Sequence, residues 1–237
     1  MTTKEQKDIF EYQILLAKEK GSKPISQHST YTIKDKTTPN LRKKFLEEIK
    51  KTKETGKERG FHLCIEKDGK LSAGNTCTGD ECGISFQQPN LSCQERKVQG
   101  NFHTHPYLAE VRKLYNITFK GASDKLLSAT VESFLKEKGF TPTMPSHKDA
   151  IDAILGKCAN KVKGTTCIGT DLDMNKVECW TIKHMDDGDC IRALMEKISP
   201  KEEENEYQTL PHDWVRPLFD KEMIELKSTK KNYKFYI

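Results

Sequence analysis

The apolar period of this chain changes from 3.6 residues to 2 at Gly60, and that switch limits the fold more than any other feature. Before it, Leu41, Phe45, Leu46 and Ile49 recur at helical spacing within Asn40 to Glu54. After it, Gly60 to Glu66 (GFHLCIE) alternates, with Phe61, Leu63 and Ile65 on one face of a strand. Lys67-Asp68-Gly69-Lys70 then supplies the Asp-Gly pair of a hairpin, whose turn needs positive φ. A second strand is expected near Lys70–Asn75, and Val98 to His105 is a third apolar segment. Leu127, Val131 and Phe134 or Leu135 predict a helix over Ser123–Lys138, ended by Gly139. A further helix is expected from Ser146 to Gly156, followed by strands near Thr165–Gly169 and Val177–Ile182. This order gives an α/β class: a mixed β-sheet flanked by helices, in one domain.

Flanking segments are less patterned. Residues 8–20 predict an amphipathic helix through Ile9, Tyr12, Leu16 and Ala17, and the Ser/Thr/Lys/Pro-rich stretch 22–40 reads as a linker. From about Asp189 a helical turn, a Lys-Glu run and a Lys-containing tail are expected. The boundaries that follow are 1–39 for an N-terminal helix and linker, 40–188 for the main domain, and 189–237 for a C-terminal extension. Between Arg42 and Glu58, 11 of 17 residues are Lys, Arg or Glu, which reads as a solvated helix face.

Composition removes several function classes. Lys plus Arg total 40 and Asp plus Glu 35, a net charge of +5, too mild to indicate nucleic acid or an anionic membrane by itself. No apolar run approaches 18 residues, and the N-terminal MTTKEQKDIFEYQ has no signal-peptide core. No membrane association and a cytoplasmic location are therefore expected, and the sequons at Asn90 and Asn116 read as chance matches. Eight cysteines are many for 237 residues, yet none forms a C-x2-C pair. Reduced thiols packed as small hydrophobes are the default, including the crowded Cys77, Cys82 and Cys93; a cysteine-held second metal or disulfides remain alternatives.

The chemistry concentrates in Asn101-Phe102-His103-Thr104-His105-Pro106. Histidines at i and i+2 on a strand leave the same face, so both imidazoles can reach one metal ion. Downstream, Ser146-x-x-Asp149 opens a helix and places a carboxylate in its first turn. A capping box explains that pattern without any metal, and the two readings are compatible, since a capped helix start fixes a ligand well. Two histidines and one aspartate leave the fourth position of a tetrahedral zinc open. A zinc site of that kind also needs a carboxylate to carry the proton of its water, and Glu58 is the candidate, with Glu66 and Glu54 as competitors.

Glu58, His103-Thr104-His105-Pro106 and Ser146-x-x-Asp149 together resemble the motif of JAMM (MPN-plus) zinc metalloproteases, and the order of elements over roughly residues 40–185 is similar as well. Two departures stand out. Asp149 follows His105 by 44 positions, about 33 more than the motif spaces them, and the excess contains the expected helix at 123–138. Gly60 stands at the second position after Glu58, where many members carry Gly at the third. Loop-closure cost rises slowly with length, so the insertion, residues 107–145, need not destroy the site.

The resemblance implies a JAMM/MPN-like mixed sheet with a helical insertion after the HTHP motif. It implies Zn²⁺ held by His103, His105 and Asp149, Glu58 as proton carrier, and Ser146 as hydrogen-bond donor to the oxyanion. It implies hydrolysis of the peptide or isopeptide bond after the C-terminus of a ubiquitin-like or sulfur-carrier protein, with the insertion contacting that protein. Two alternatives remain: a non-catalytic MPN scaffold that binds proteins, and a nucleic-acid module stabilised by Cys/His zinc with its Lys227–Lys234 tail. Among other residues, His147 is expected to face solvent and His62 to be a structural histidine. Asp186-Asp187-Gly188-Asp189 reads as a turn, and Trp180 and Phe134 as core.

Overall fold

A computed structural model describes residues 32–79, 93–94, 96–109, 111, 124–159, 162–198 and 211–226. The amphipathic segment 8–20, both sequons, Cys82, the run near 201–205 and the Lys227–Lys234 tail lie outside the described residues.

The described chain is an α/β structure around one mixed seven-stranded sheet. Its strands are β1 (Arg59–Ile65), β2 (Leu71–Ala73), β3 (Cys77–Thr78), β4 (Lys97–His105), β5 (Thr165–Thr170), β6 (Lys176–Ile182) and β7 (Phe219–Glu225). They lie in the order β2-β1-β4-β5-β6-β7, with β3 also paired to β1. Only β4 and β5 run parallel; the other pairs are antiparallel. Among the described residues they are accompanied by the α-helices α1 (Ile33–Lys36), α2 (Pro39–Thr55), α3 (Asp124–Glu137), α4 (His147–Cys158) and α5 (Asp187–Ile198), and by a 3-10 turn at Arg216–Leu218. A parallel neighbour needs a crossover connection, and the β4–β5 crossover is where α3 and α4 sit.

Local chemistry sets most boundaries. Thr38 caps α2 by accepting from Leu41 N at 3.1 Å, Pro39 takes the first turn where no N–H is needed, and Gly56 ends the helix at φ 68°. The β1–β2 hairpin turns at Gly69 with φ 79°, as the Asp-Gly pair requires. Gly139 stops α3 at φ 78°. A glycine is obligatory at position 100 for a different reason: a Cβ there would lie 1.7 Å from the Thr165 carbonyl oxygen of the parallel neighbour.

Helix α2 covers one face of the sheet. Phe45 on the helix, Phe61 on β1 and Phe102 on β4 form a ring cluster with centroids 4.7–5.8 Å apart, flanked by Leu41, Ile49 and Leu63. A second core joins Ala150, Ile151 and Ile154 of α4 to Ala193 of α5 and to Ile182, Val215 and Leu218. Helix α3 buries Leu127, Val131 and Leu135, the last two packed with Tyr107 and Phe140.

Several expectations need correction. Residues 32–38 are not linker: Thr32 caps α1, Ile33 is buried in the main core, and Thr37 bridges to Leu71. The fold does not end at 188, because α5 packs on α4 and β7 completes the sheet beside β6. The charged run of α2 is not all solvated, since Glu48 is fully buried. Burial works against its charge, but Arg59 and Lys44 outweigh that and hold the carboxyl below its usual range. Phe134 is 58 % exposed and Trp180 half-buried.

The cysteines are the largest correction. Cys64–Cys93, Cys158–Cys190 and Cys167–Cys179 are disulfides, leaving Cys77 as the free thiol among the described residues. Cys167 and Cys179 face each other across β5 and β6 within the main core. Persistent disulfides belong to oxidising surroundings, and a closed loop stabilises chiefly by restricting the unfolded chain. Breaking the Cys167–Cys179 bridge with a double Cys→Ala change should lower stability by about 2–4 kcal/mol in urea unfolding. An unchanged unfolding midpoint would contradict the pairing.

Candidate metal centre

The alternation of β4 builds the site. Phe102 and Thr104 turn toward α2, where Phe102 joins the ring cluster and Thr104 Oγ1 meets Thr52 Oγ1 at 2.6 Å. His103 and His105 therefore turn to the opposite face, toward the start of α4. Their Nε2 atoms are 3.2 Å apart, and His103 Nε2 is 3.4 Å from Asp149 Oδ2. The three ligand atoms lie within 4.8 Å of one another. Both histidines are buried, whereas the Asp149 side chain keeps 30 % exposure, so the centre opens to solvent over the carboxylate.

Asp149 stands at the third position of α4 in a full capping box. Ser146 Oγ accepts from Asp149 N at 3.1 Å, and Ser146 N donates back to Asp149 Oδ2 at 3.0 Å. The Ser146 hydroxyl also donates to Oδ2 at 2.7 Å. The capping box expected from the sequence is present, and the same bonds aim the carboxylate at His103.

The protons of the two imidazoles are assigned by their partners. The Pro142 carbonyl, 3.1 Å from His105 Nδ1, can only accept, and the Tyr107 hydroxyl lies farther from the same nitrogen at 3.4 Å, so the closer partner puts the proton on Nδ1 and leaves Nε2 as a lone pair facing the centre. Burial holds the His105 pKa down at about 4, helped by the charge on His103. For His103, burial favours the neutral ring, but the carboxylates of Asp149 and Glu58 outweigh it and raise the pKa above its ordinary value. Burial likewise opposes the Asp149 charge, and His103, His105 and Ser146 more than compensate, holding that carboxyl far below the usual carboxylate range. A positive charge is therefore favoured where these atoms converge, and the donor set of two imidazoles and a carboxylate fits zinc with one position open.

Glu58 precedes β1, is buried, and contributes to the charge that holds the His103 proton. The register explains its placement: Gly60 pairs with His103, whereas Ile65 pairs with Lys97 at the other end of the strand. Thr104 fixes this end, accepting from Arg59 N at 2.9 Å. Glu66 lies at the far end, held by Ser72 and Arg96, and Glu54 is exposed on α2. Of the three sequence candidates, only Glu58 is brought to the histidines.

His147 is buried rather than solvent-facing. Its Nε2 is 2.6 Å from Glu196 Oε2, and its ring stacks on His212 at 3.9 Å. Glu196 also accepts from Trp214 Nε1 at 2.8 Å. His147, Glu196 and His212 are a second group of closely spaced potential ligands. Here, however, a backbone amide sets the tautomer: His212 N donates to His147 Nδ1 at 3.3 Å, so the proton resides on Nε2 and points at Glu196. Cation binding at that Nε2 would require an imidazolate or loss of the amide bond. The group is a clamp that ties the start of α4 to α5 and the 211–226 segment. Sequence reasoning missed it because Glu196 and His212 are distant in the chain and carry no mutual spacing signal.

His62 is buried, and desolvation holds its pKa at about 4. Asp186 N donates to Asp189 Oδ2 at 2.9 Å and Asp189 N to Asp186 Oδ1 at 3.0 Å, which opens α5 rather than forming an isolated turn. Among the described residues no helix is long and apolar enough to cross a membrane.

No protein-family model, curated protein or solved structure matches the chain.

The buried neutral histidines fix the sign of an acid response. A group with a depressed folded-state pKa takes up its proton in the unfolded chain first, near pH 6.5. The contribution of His62 and His105 is therefore expected to be complete above about pH 6.5 and to fall as pH drops toward 4, whereas the raised His103 pKa works the other way and gives stability that is lost as pH rises above about 6.5. Urea midpoints between pH 6.5 and 4.5 should show the acid slope, and His62→Gln should flatten it; an equal slope in the variant would contradict the assignment.

Proposed function

We propose that the chain is a zinc-dependent peptidase or isopeptidase acting after the C-terminus of a ubiquitin-like or sulfur-carrier protein. One observation carries the reading: His103 and His105 from one strand and Asp149 from a capped helix converge on a shared point beside a buried Glu58. The substrate class rests on the JAMM resemblance described above.

Zinc bound by His103, His105 and Asp149 would polarise a scissile carbonyl and lower the pKa of water. Everything else is assigned to the protein's own groups. His105 would offer Nε2, because Nδ1 donates to the Pro142 carbonyl. His103 must release its Nε2 proton before it can serve as a ligand. Asp149 is oriented by the two Ser146 hydrogen bonds to Oδ2. Glu58 is the group proposed to take a proton from water and return it to the leaving amine. Ser146 can donate to an oxyanion only by turning its hydroxyl away from Asp149, so the two roles alternate in the reading proposed here.

The scaffold alternative has nothing to explain why three ligand atoms converge. The alternative of a Cys/His zinc module loses most of its ligands, because six cysteines are bonded to each other.

About one equivalent of zinc per wild-type chain is expected, with little or none in Asp149→Ala. Glu58→Gln should keep the metal and lose at least about 100-fold in cleavage of ubiquitin-like fusions. Zinc retained by Asp149→Ala, or full activity in Glu58→Gln, would overturn the proposal.

A further inference from the structure

The end of the insertion carries a polar link that packing alone does not require. Thr143 is 1 % exposed and donates from Oγ1 to Glu178 Oε2 at 2.6 Å. Its carbonyl accepts from Trp180 Nε1 at 2.8 Å. Glu178 and Trp180 stand two apart on β6 and so share a face, which makes them a two-point grip on one residue. The register places that face on the metal side of the sheet: His103 pairs with Ile168, and Ile168 with Glu178. Lys221 on β7 completes the group, 3.6 Å from Glu178 Oε2 and over the Trp180 ring at 5.5 Å.

Burying a carboxylate costs several kcal/mol unless it is paired, and an apolar pair would fill the same space without that cost. What the grip holds is the residue next to Pro142. The Pro142 carbonyl accepts from His105 Nδ1 at 3.1 Å, closer than the Tyr107 hydroxyl at 3.4 Å, which could instead donate to that nitrogen; the carbonyl bond is what favours the tautomer that keeps the Nε2 lone pair. Proline has no N–H of its own to anchor the segment, so the neighbouring Thr143 takes that task. At the His147 clamp the opposite partner, a backbone amide, gives the opposite tautomer.

We propose that Thr143, gripped by Glu178 and Trp180, is a positioning residue that holds the Pro142 carbonyl against His105 and so keeps Nε2 of His105 ready for the metal. The assignment rests on the metal-centre reading for its purpose, but its first effect, the tautomer, exists without any metal. Orienting partners of ligating histidines typically carry about 10–100-fold in metal affinity.

The test uses the full chain with Thr143→Val, which removes the hydroxyl at nearly constant shape, and Thr143→Ser, which restores it. Imidazole ¹⁵N spectra of the metal-free protein report the His105 tautomer, and competition with a chromophoric chelator gives the zinc affinity. Wild type and Thr143→Ser should show His105 protonated on Nδ1. Thr143→Val should show a mixture and bind zinc about 10-fold more weakly. Trp180→Phe, which removes the indole N–H together with part of the ring, should move both readouts in the same direction and keeps the test open if Thr143→Val does not fold. An unchanged tautomer and an affinity within about twofold of wild type in a folded variant would overturn the grip. A wild type that binds no zinc would overturn the metal-centre reading instead, and the tautomer would still decide the grip.

Discussion

Everything at the candidate centre depends on the alternation of β4. A strand sends successive side chains to opposite faces, so one strand can feed a hydrophobic core and a polar site at once. Phe102 and Thr104 tie β4 to α2, and His103 and His105 are thereby delivered to the other face as a pair. A slip of one residue would exchange the two sets. The register is pinned from both sides: antiparallel β1 fixes the Glu58 end through Gly60 and His103, and parallel β5 admits β4 only because Gly100 has no side chain.

Around that strand, polar atoms are settled by partners that also place them. The cap of α4 is one such case, with Ser146 satisfying the helix start and aiming Asp149 in the same bonds. Thr104 is another, since its hydroxyl reaches both Thr52 and the Arg59 amide next to Glu58. The contrast between His105 and His147 shows how much one backbone group decides. A carbonyl at Nδ1 leaves a lone pair facing the centre, whereas an amide at Nδ1 puts a proton there. Two clusters of similar composition therefore take different chemical roles.

The parts of this arrangement that were legible in the sequence are those governed by neighbours in the chain. Parity puts His103 and His105 together, Ser146-x-x-Asp149 is a local pattern, Asp68-Gly69 names its own turn, and α2, α3 and α4 follow from periodicity to within a residue or two. The rest depends on contacts across long separations. Strand β7 carries Asp220, Lys221, Glu222 and Glu225 spread over both faces and has only Ile224 fully buried, so its pattern is faint until β6 pairs with it. Glu48 sits in a charged run and is accommodated in the core because Arg59 and Lys44 pair with it. Which thiols bond, and which glutamate lies beside the histidines, follow from register. Phe134 shows the reverse failure, an aromatic on a helix that stays exposed because Leu127, Val131 and Leu135 form the inward face.

The claim that the centre binds zinc through two imidazoles and a carboxylate is tested most directly by X-ray absorption at the zinc edge of the loaded protein. The account predicts a shell of nitrogen and oxygen only, near 2.0–2.1 Å, with the outer-shell scattering of two imidazole rings. That scattering should fall to one ring in His105→Ala. A sulfur shell near 2.3 Å would place the metal on cysteine and contradict the account.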